Sequence, residues 1–225
     1  MIKIAIDGLS GSGKGELSKG LAKKLNLKHL DTGAIFRGIA CAFTKLGFSE
    51  LSEQIVVENI NKFKVEVVFD GNTQNTLLNG ENINHLLRAE ETSKLASKVS
   101  IYAPVREKYL DIVREFANNY DCVIDGRDIT SIVLPDADLK IYLTASEEVR
   151  AKRRYEENVS KNIVCTYEEV LENLQERDYR DTHRDIAPLI LVDDAFKVDN
   201  SNMTIEETIE HCYKLALQKL AGKQN

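Results

Sequence analysis

Three groups of residues have types and spacings that could do chemistry. The first is Gly8-Leu9-Ser10-Gly11-Ser12-Gly13-Lys14, which follows the apolar run Ile2–Ile6 and opens a helical pattern from Lys14 to Leu25. Glycines let the backbone curl so that successive N–H groups point inward. Together with a helix N-terminus they make a cradle for phosphate groups. A lysine at the end of the loop adds a point charge for the outer phosphates. The alternative is a glycine-rich turn with no ligand, and the strand before and helix after disfavour it. The next residues are Gly15 and Glu16, where a hydroxyl for Mg²⁺ would ordinarily follow the lysine. The sequence therefore singles out no metal ligand.

The second group is basic: Arg150, Lys152, Arg153 and Arg154, with Arg150 and Arg154 on one helical face. Such a cluster could neutralise charge on a transferring phosphoryl group and exclude water. Its bland alternative is an exposed basic helix. The third is Arg177, Asp181 and Arg184, whose steps of four and three place them on one helix face. A solvated charged face is the usual explanation of such a run. Arg37, Arg106 and the Asp125-Gly126-Arg127-Asp128 stretch stand apart from these groups.

The elements that must position these residues can be read from periodicity. Ile2–Ile6 reads as a buried parallel strand, and His29–Asp31 as a second short one. Helical periods run from Gly33 to Leu46, Ala89 to Val99, Pro104 to Phe116 and Ser146 to Glu157. Asp121–Asp125, Leu139–Leu143 and Phe196–Val198 read as further core strands. Thr166-Tyr167-Glu168-Glu169 and Thr204-Ile205-Glu206-Glu207 carry the capping-box pattern that opens a helix. Between Phe63 and Ile83 the pattern alternates instead. Turn signals at Asp70-Gly71-Asn72 and Asn79-Gly80 predict a small antiparallel insert there. The alternation of strand and helix elsewhere predicts an α/β fold, a parallel β-sheet flanked by helices.

Composition narrows the class. The 225 residues suit one α/β domain with appendages, and the hydrophobic fraction of 43% is ordinary for a globular chain. No apolar run is long enough to span a bilayer, and the short N-terminal run before the glycine loop does not read as a signal peptide. The expectation is a cytoplasmic protein with no membrane partner. A formal net charge of -6 argues against nonspecific binding to nucleic acid. Cys41, Cys122, Cys165 and Cys212 are scattered without a CxxC pair, so neither a zinc site nor a disulfide framework is indicated. No Asn-Lys-x-Asp guanine-reading motif is present, which argues against a GTPase.

Four stretches add a more specific resemblance. They are Leu30-Asp31-Thr32-Gly33-Ala34-Ile35-Phe36-Arg37; Ser97-Lys98-Val99-Ser100 with Pro104-Val105-Arg106; Asp125-Gly126-Arg127-Asp128-Ile129; and Arg177–Arg184 running into Ala187-Pro188-Leu189. With the P-loop at Gly8–Lys14, their order and spacing over nearly the whole chain resemble bacterial-type cytidylate kinases. The antiparallel insert is shared with that family, whereas adenylate kinases and eukaryotic UMP/CMP kinases generally lack it. The sequence departs from the family pattern at Glu16, where a threonine is common, and at Thr130-Ser131, where Gly-Thr is usual.

The resemblance implies a P-loop NTPase fold with a small antiparallel β insert in the monophosphate-binding region and a helical lid. It implies a core of about 1–32, 105–148 and 185–225, a monophosphate-binding region of about 33–104 and a lid of about 149–184. The implied reaction is transfer of the γ-phosphoryl group of ATP, with Mg²⁺, to CMP or dCMP. ATP would be held by Gly8, Leu9, Ser10, Gly11, Ser12, Gly13, Lys14, Gly15 and Glu16 with Arg150 and Arg154. CMP would be held by Thr32, Arg37, Ser97, Arg106, Arg127, Asp128, Arg177, Asp181 and Arg184. Lys14, Arg37, Arg154 and Arg184 would carry the chemistry, in a monomer. Two other readings stay open at this point: a monophosphate kinase for UMP or AMP, and a nucleotide-binding switch that transfers phosphate poorly.

Overall fold

The computed structural model describes residues 1–221. Residues 222–225, the end of the expected core, lie outside the described residues. The elements run in chain order as β1 (Lys3–Gly8), α1 (Lys14–Leu25), β2 (Lys28–Asp31), α2 (Thr32–Lys45) and α3 (Glu53–Asn59). Then come β3 (Val65–Asp70), β4 (Thr73–Leu78), β5 (Glu81–Asn82), α4 (Glu90–Val99) and α5 (Ala103–Asn119). The last are β6 (Cys122–Gly126), β7 (Leu139–Thr144), α6 (Glu147–Ser160), α7 (Tyr167–His183), β8 (Phe196–Asp199) and α8 (Ile205–Leu220). Two sheets form, one five-stranded of order β2-β6-β1-β7-β8 and one three-stranded of order β3-β4-β5. The chain clusters into two compact units, one of Met1–Lys28 with Asp121 onward, the other of His29–Tyr120.

In the first unit β1 pairs in parallel with β6 and β7, and β7 with β8. Ile4, Ala5 and Ile6 are all fully buried, so β1 is a continuous apolar run rather than an alternating one. That is the pattern of a parallel strand covered on both faces. Ile4, Ile6, Leu17, Leu21, Val123 and Ile141 form the centre of the core, with Cys212 and Ala216 of α8 joining it. The side chains of Ser146, Thr166 and Thr204 cap α6, α7 and α8, the last two as complete capping boxes.

In the second unit α2 carries a buried face of Ile35, Ile39 and Phe43. β3 and β4 pair antiparallel from Val65↔Leu78 to Asp70↔Thr73. Asn79 and Gly80 both take positive φ, 51° and 85°, as the expected two-residue hairpin turn requires. Phe69 of the insert stacks on Phe116 of α5 at a centroid distance of 5.2 Å. Besides a single 3-10 turn at Ile60–Lys62, two longer elements were not anticipated. One is α3, seven residues long and opened by the Ser52 side chain. The other is a five-residue π-helical turn at Ile129–Val133. Both are too short to show a hydrophobic period.

Candidate active site

The Gly8–Lys14 loop connects β1 to α1, as the spacing predicts. Gly11 and Gly13 have φ of 71° and 88°, a region that costs an L side chain about 1–2 kcal/mol. Gly13 is the N-cap of α1 and offers no side chain to its first-turn amides, which are left for a ligand. The loop is braced from within by Ser12 Oγ, which donates to the Leu9 carbonyl at 2.9 Å. Asn200 Nδ2 holds the Ser12 carbonyl at 3.0 Å. Arg153 in turn grips the Asn200 side chain, the Asn200 carbonyl and the Met203 carbonyl.

Ser10 is held from three directions. Its amide donates to Asp178 Oδ1 at 2.9 Å, its carbonyl accepts from Arg150 Nη1 at 2.9 Å, and its hydroxyl accepts from Arg127 Nη2 at 3.1 Å. Arg150 also pairs with Asp178 and donates to the Ala145 carbonyl. Its side chain is only 2% exposed. The expectation set Arg150 beside Arg154, but here the two side chains part. Arg150 points into the protein, because Asp178 and two backbone carbonyls supply the partners a buried guanidinium needs. Arg154 stays at the surface, paired with Glu157 at 2.9 Å and 53% exposed. Glu16 likewise pairs with Lys19 at the surface, so its carboxylate is turned toward a cation of its own helix.

Lys14 donates to the Leu9 carbonyl at 3.2 Å. Although the residue is only part-buried, crowding of its ammonium by protein pushes its pKa down to about 7. Arg127 and Arg177 add to this, and Asp125 and Asp181 oppose it. The lysine charge is thus penalised until something anionic arrives.

Arg127 and Asp181 form a close pair, Nε to Oδ2 at 2.6 Å, with both side chains largely buried. Burial disfavours both charges. Their attraction, with help from Arg177 and Arg184 on the Asp181 side, more than offsets it: Arg127 is held above its usual range and Asp181 below. Arg184 Nη2 lies 3.8 Å from Asp128 Oδ1, and its Nε donates to the Ala187 carbonyl at 2.6 Å. Arg184 keeps the helical bond of its amide to the Arg180 carbonyl at 3.1 Å, so the expected steps of four and three along α7 hold as far as its Cα. Arg177 and Asp181 are one turn apart on α7, whereas Arg184 is its C-cap in extended conformation. The chain turns there through Ala187, which takes φ of 56°.

Thr32, Arg37, Ser97 and Arg106 belong to the second unit. Arg37 Nη2 pairs with Asp31 Oδ2 at 2.8 Å, while Asp31 Oδ1 caps α2 through the Ala34 amide. A Cβ on Gly33 would come within 2.8 Å of Arg37 Nη1, so glycine is what lets the guanidinium lie over the helix start. Thr32 and Arg106 are buried, and Arg106 donates to the Ser100 carbonyl at 3.3 Å. Ser97 is half-buried and its carbonyl accepts from the Ser100 hydroxyl.

An open groove of about 800 Å³ runs beside α6 and α7, lined by Leu9, Arg150, Gln175, Tyr179 and others. Neither Lys14 nor Asp128 lines it, and Glu147 and Glu176 do. Those carboxylates make it a poor seat for phosphate. Sequence reasoning missed Asp7, Asp178 and Asn200. Each has a partner more than a hundred positions away, Thr130 for Asp7, Ser10 for Asp178 and Ser12 for Asn200, so no local spacing marks it.

A parallel sheet whose first strand runs through a curled glycine loop into a helix defines a P-loop nucleotide-binding fold. Solved structures share it. An uncharacterized protein from Eubacterium ventriosum covers 98% of this chain and 99% of its own at a TM-score of 0.52, and TT1252 from Thermus thermophilus covers 97% of both at 0.50. At 13% and 17% identity these show the fold alone. Sequence comparison is more specific. The family model described as cytidylate kinase matches residues 4–218. A cytidylate kinase of Flavobacterium johnsoniae is 41% identical over 211 residues, 92% of each chain, and one of Caldicellulosiruptor saccharolyticus is 39% identical over 223 residues, 99% of this chain and 98% of its own. The chain belongs to the cytidylate kinase family.

Proposed function

We propose that this protein transfers the γ-phosphoryl group of ATP to CMP or dCMP, giving ADP and CDP or dCDP. The observation that carries the reading is that Lys14 and the Arg127–Asp181 pair both reach one glycine loop, with the Asp128–Arg184 pair following directly after Arg127 in the chain. In this reading the cations serve the phosphates, and the Asp128 carboxylate, 2% exposed, serves as hydrogen-bond acceptor for the acceptor base.

ATP binds with its phosphates in the Gly8–Lys14 loop, on the first-turn amides of α1 and on Lys14. Arg154 is free of buried partners and closes on the transferring group. The acceptor phosphate is gripped by Arg37, a planar donor suited to bidentate contact. Thr32, Ser97, Arg106, Arg127, Arg177, Asp181 and Arg184 complete the acceptor contacts. The attacking CMP oxygen is already anionic at neutral pH, so no general base is required. Catalysis is positioning plus charge stabilisation by Lys14, Arg37, Arg154 and Arg184. Among the described residues no group of three or more acidic, histidine or cysteine side chains is arranged to hold a metal. A Mg²⁺ would arrive with the nucleotide at the Gly8–Lys14 loop and would supply charge neutralisation there. We further propose a cytoplasmic monomer. Among the described residues no helix is long and apolar enough to cross a membrane.

The test is ADP release from ATP·Mg²⁺ with CMP, dCMP, UMP or AMP as sole acceptor. Strong turnover with CMP and dCMP is expected. UMP presents a carbonyl where CMP presents an amine, leaving the Asp128 carboxylate without its donor. That costs roughly 1–3 kcal/mol, or about 5- to 150-fold in specificity. Asp128→Ala should erase most of this preference. An unchanged CMP/UMP ratio removes Asp128 from base reading, and preference for AMP replaces the acceptor assignment.

Lys14 makes a second expectation. At pH 8, above its value of about 7, it is mostly neutral in the free protein. Phosphates restore its charge, so ATP binding at pH 8 should take up about one proton, falling toward zero below pH 6. Titration calorimetry in buffers of different ionisation heat reads this directly. Equal heats in all buffers would mean that Lys14 is already charged.

A further inference from the structure

The π-helical turn that follows Asp128 is capped in an unusual way. Asp128 occupies its N-cap position, yet the Asp128 side chain makes no capping bond. The first amides of a helical turn have no partner inside it and must find one elsewhere. Here they find Asp7, the fully buried carboxylate near the end of β1. Asp7 Oδ1 accepts from the Ile129 amide at 3.0 Å. Asp7 Oδ2 accepts from the Thr130 amide at 2.8 Å and from Thr130 Oγ1 at 2.7 Å. Thr130 is itself 1% exposed. Asp7 stands in register with Gly126 on β6, the residue before Arg127, so the clasp closes directly behind the Arg127–Asp128 turn.

We propose that Thr130, through its hydroxyl bond to Asp7, is a positioning residue for the acceptor: the Asp7–Thr130 clasp caps the turn so that the Asp128 carboxylate is kept for the substrate base. This rests on the reading of Asp128 as a base contact given above. Three donors on one carboxylate fix the turn in both translation and rotation. Without the clasp, Asp128 is the nearest carboxylate able to fold back onto the Ile129 and Thr130 amides, as an N-cap aspartate ordinarily does.

The clasp is also sensitive to protons. Burial raises the Asp7 pKa to about 6, opposed by the bonds from Thr130 and Ile129. The charged and titratable groups around it are Asp128, which raises it further, Arg127 on the same turn and Tyr142 on β7. A protonated Asp7 has one oxygen less able to accept, so a donor of Thr130 is released. CMP affinity should therefore fall as pH drops through about 6, and removing the Thr130 hydroxyl, a bond to the charged form, should move that fall to higher pH.

The experiment measures KM for CMP, KM for ATP·Mg²⁺ and kcat from pH 5.5 to 8.5 for the parent, Thr130→Val, Thr130→Ser and Asp128→Ala. Thr130→Val should raise KM for CMP about tenfold, the worth of one charge-assisted hydrogen bond, and shift the acid limb toward neutrality. Thr130→Ser should return most of the affinity, and KM for ATP should change less than about twofold throughout. The CMP phosphate also titrates near pH 6 in every variant, so the reading is the displacement between variants. Equal CMP KM and equal acid limbs in parent and Thr130→Val would overturn the clasp. So would CMP and ATP KM rising together, which marks a merely structural role. If Thr130→Val does not fold, Thr130→Ala is read the same way. Asp128→Ala separates the two ideas. Its failure to raise CMP KM sinks the base-reading assignment, whereas a rise there with none in Thr130→Val sinks the clasp alone.

Discussion

Lys14→Ala should lower kcat by on the order of 10²–10³-fold, a loss of about 3–4 kcal/mol of transition-state stabilisation. The ammonium stands at the mouth of α1, where the glycine loop exposes amides to the β- and γ-phosphates. During transfer, negative charge shifts onto the bridging oxygen, and a fixed cation beside it gains strength as the charge develops. The folded protein should hardly notice the change. Lys14 makes one neutral hydrogen bond, to the Leu9 carbonyl, and its charge is disfavoured by its surroundings. Removing it relieves that penalty, so the melting temperature should hold or rise. Steady-state assay and thermal unfolding on the same preparation separate the roles. Turnover within a few-fold of the parent would refute the phosphate assignment, and a marked fall in melting temperature would make Lys14 structural.

Arg150→Ala should instead cost stability, about 3–5 kcal/mol, as expected when one partner of a buried ion pair is removed. Asp178, 13% exposed, would lose its guanidinium partner, and the carbonyls of Ser10 and Ala145 would lose their donor. At about 2–4 °C per kcal/mol for a chain of this size, the melting temperature should fall by roughly 6–20 °C. Arg154→Ala is the contrast. Its pair with Glu157 is exposed, and such pairs are worth about 0–1 kcal/mol. Arg154→Ala should leave the melting temperature nearly unchanged while lowering turnover. Equal melting temperatures for the parent and Arg150→Ala, with a raised KM for ATP, would return Arg150 to the nucleotide contact that its sequence position suggests.

These two arginines mark the boundary of what spacing can reveal. Four residues apart on α6, they look alike in sequence. Arg150 faces α7 and the loop, where Asp178 waits, and Arg154 faces solvent. The distinction depends on the packing of α6 against α7 and of both against Ser10. The same holds for Asp7, which ends an apolar strand and becomes a cap only because β6 delivers Ile129 and Thr130 beside it.

What the sequence determined by itself is whatever a short stretch encodes locally. The Gly8–Lys14 cradle, the Thr166 and Thr204 capping boxes, the Asn79-Gly80 hairpin turn and the continuous apolar strands all follow from backbone freedom, side-chain reach and burial period within a few residues. The antiparallel insert and the family motifs were legible for the same reason. Tertiary structure alone decided which polar groups are spent inside the fold. Arg150 is consumed by Asp178, Asp7 by the Thr130 turn, and Asn200 by the Ser12 carbonyl and Arg153. A buried polar group must find its partner wherever the fold places one, and here those partners lie tens to nearly two hundred residues away.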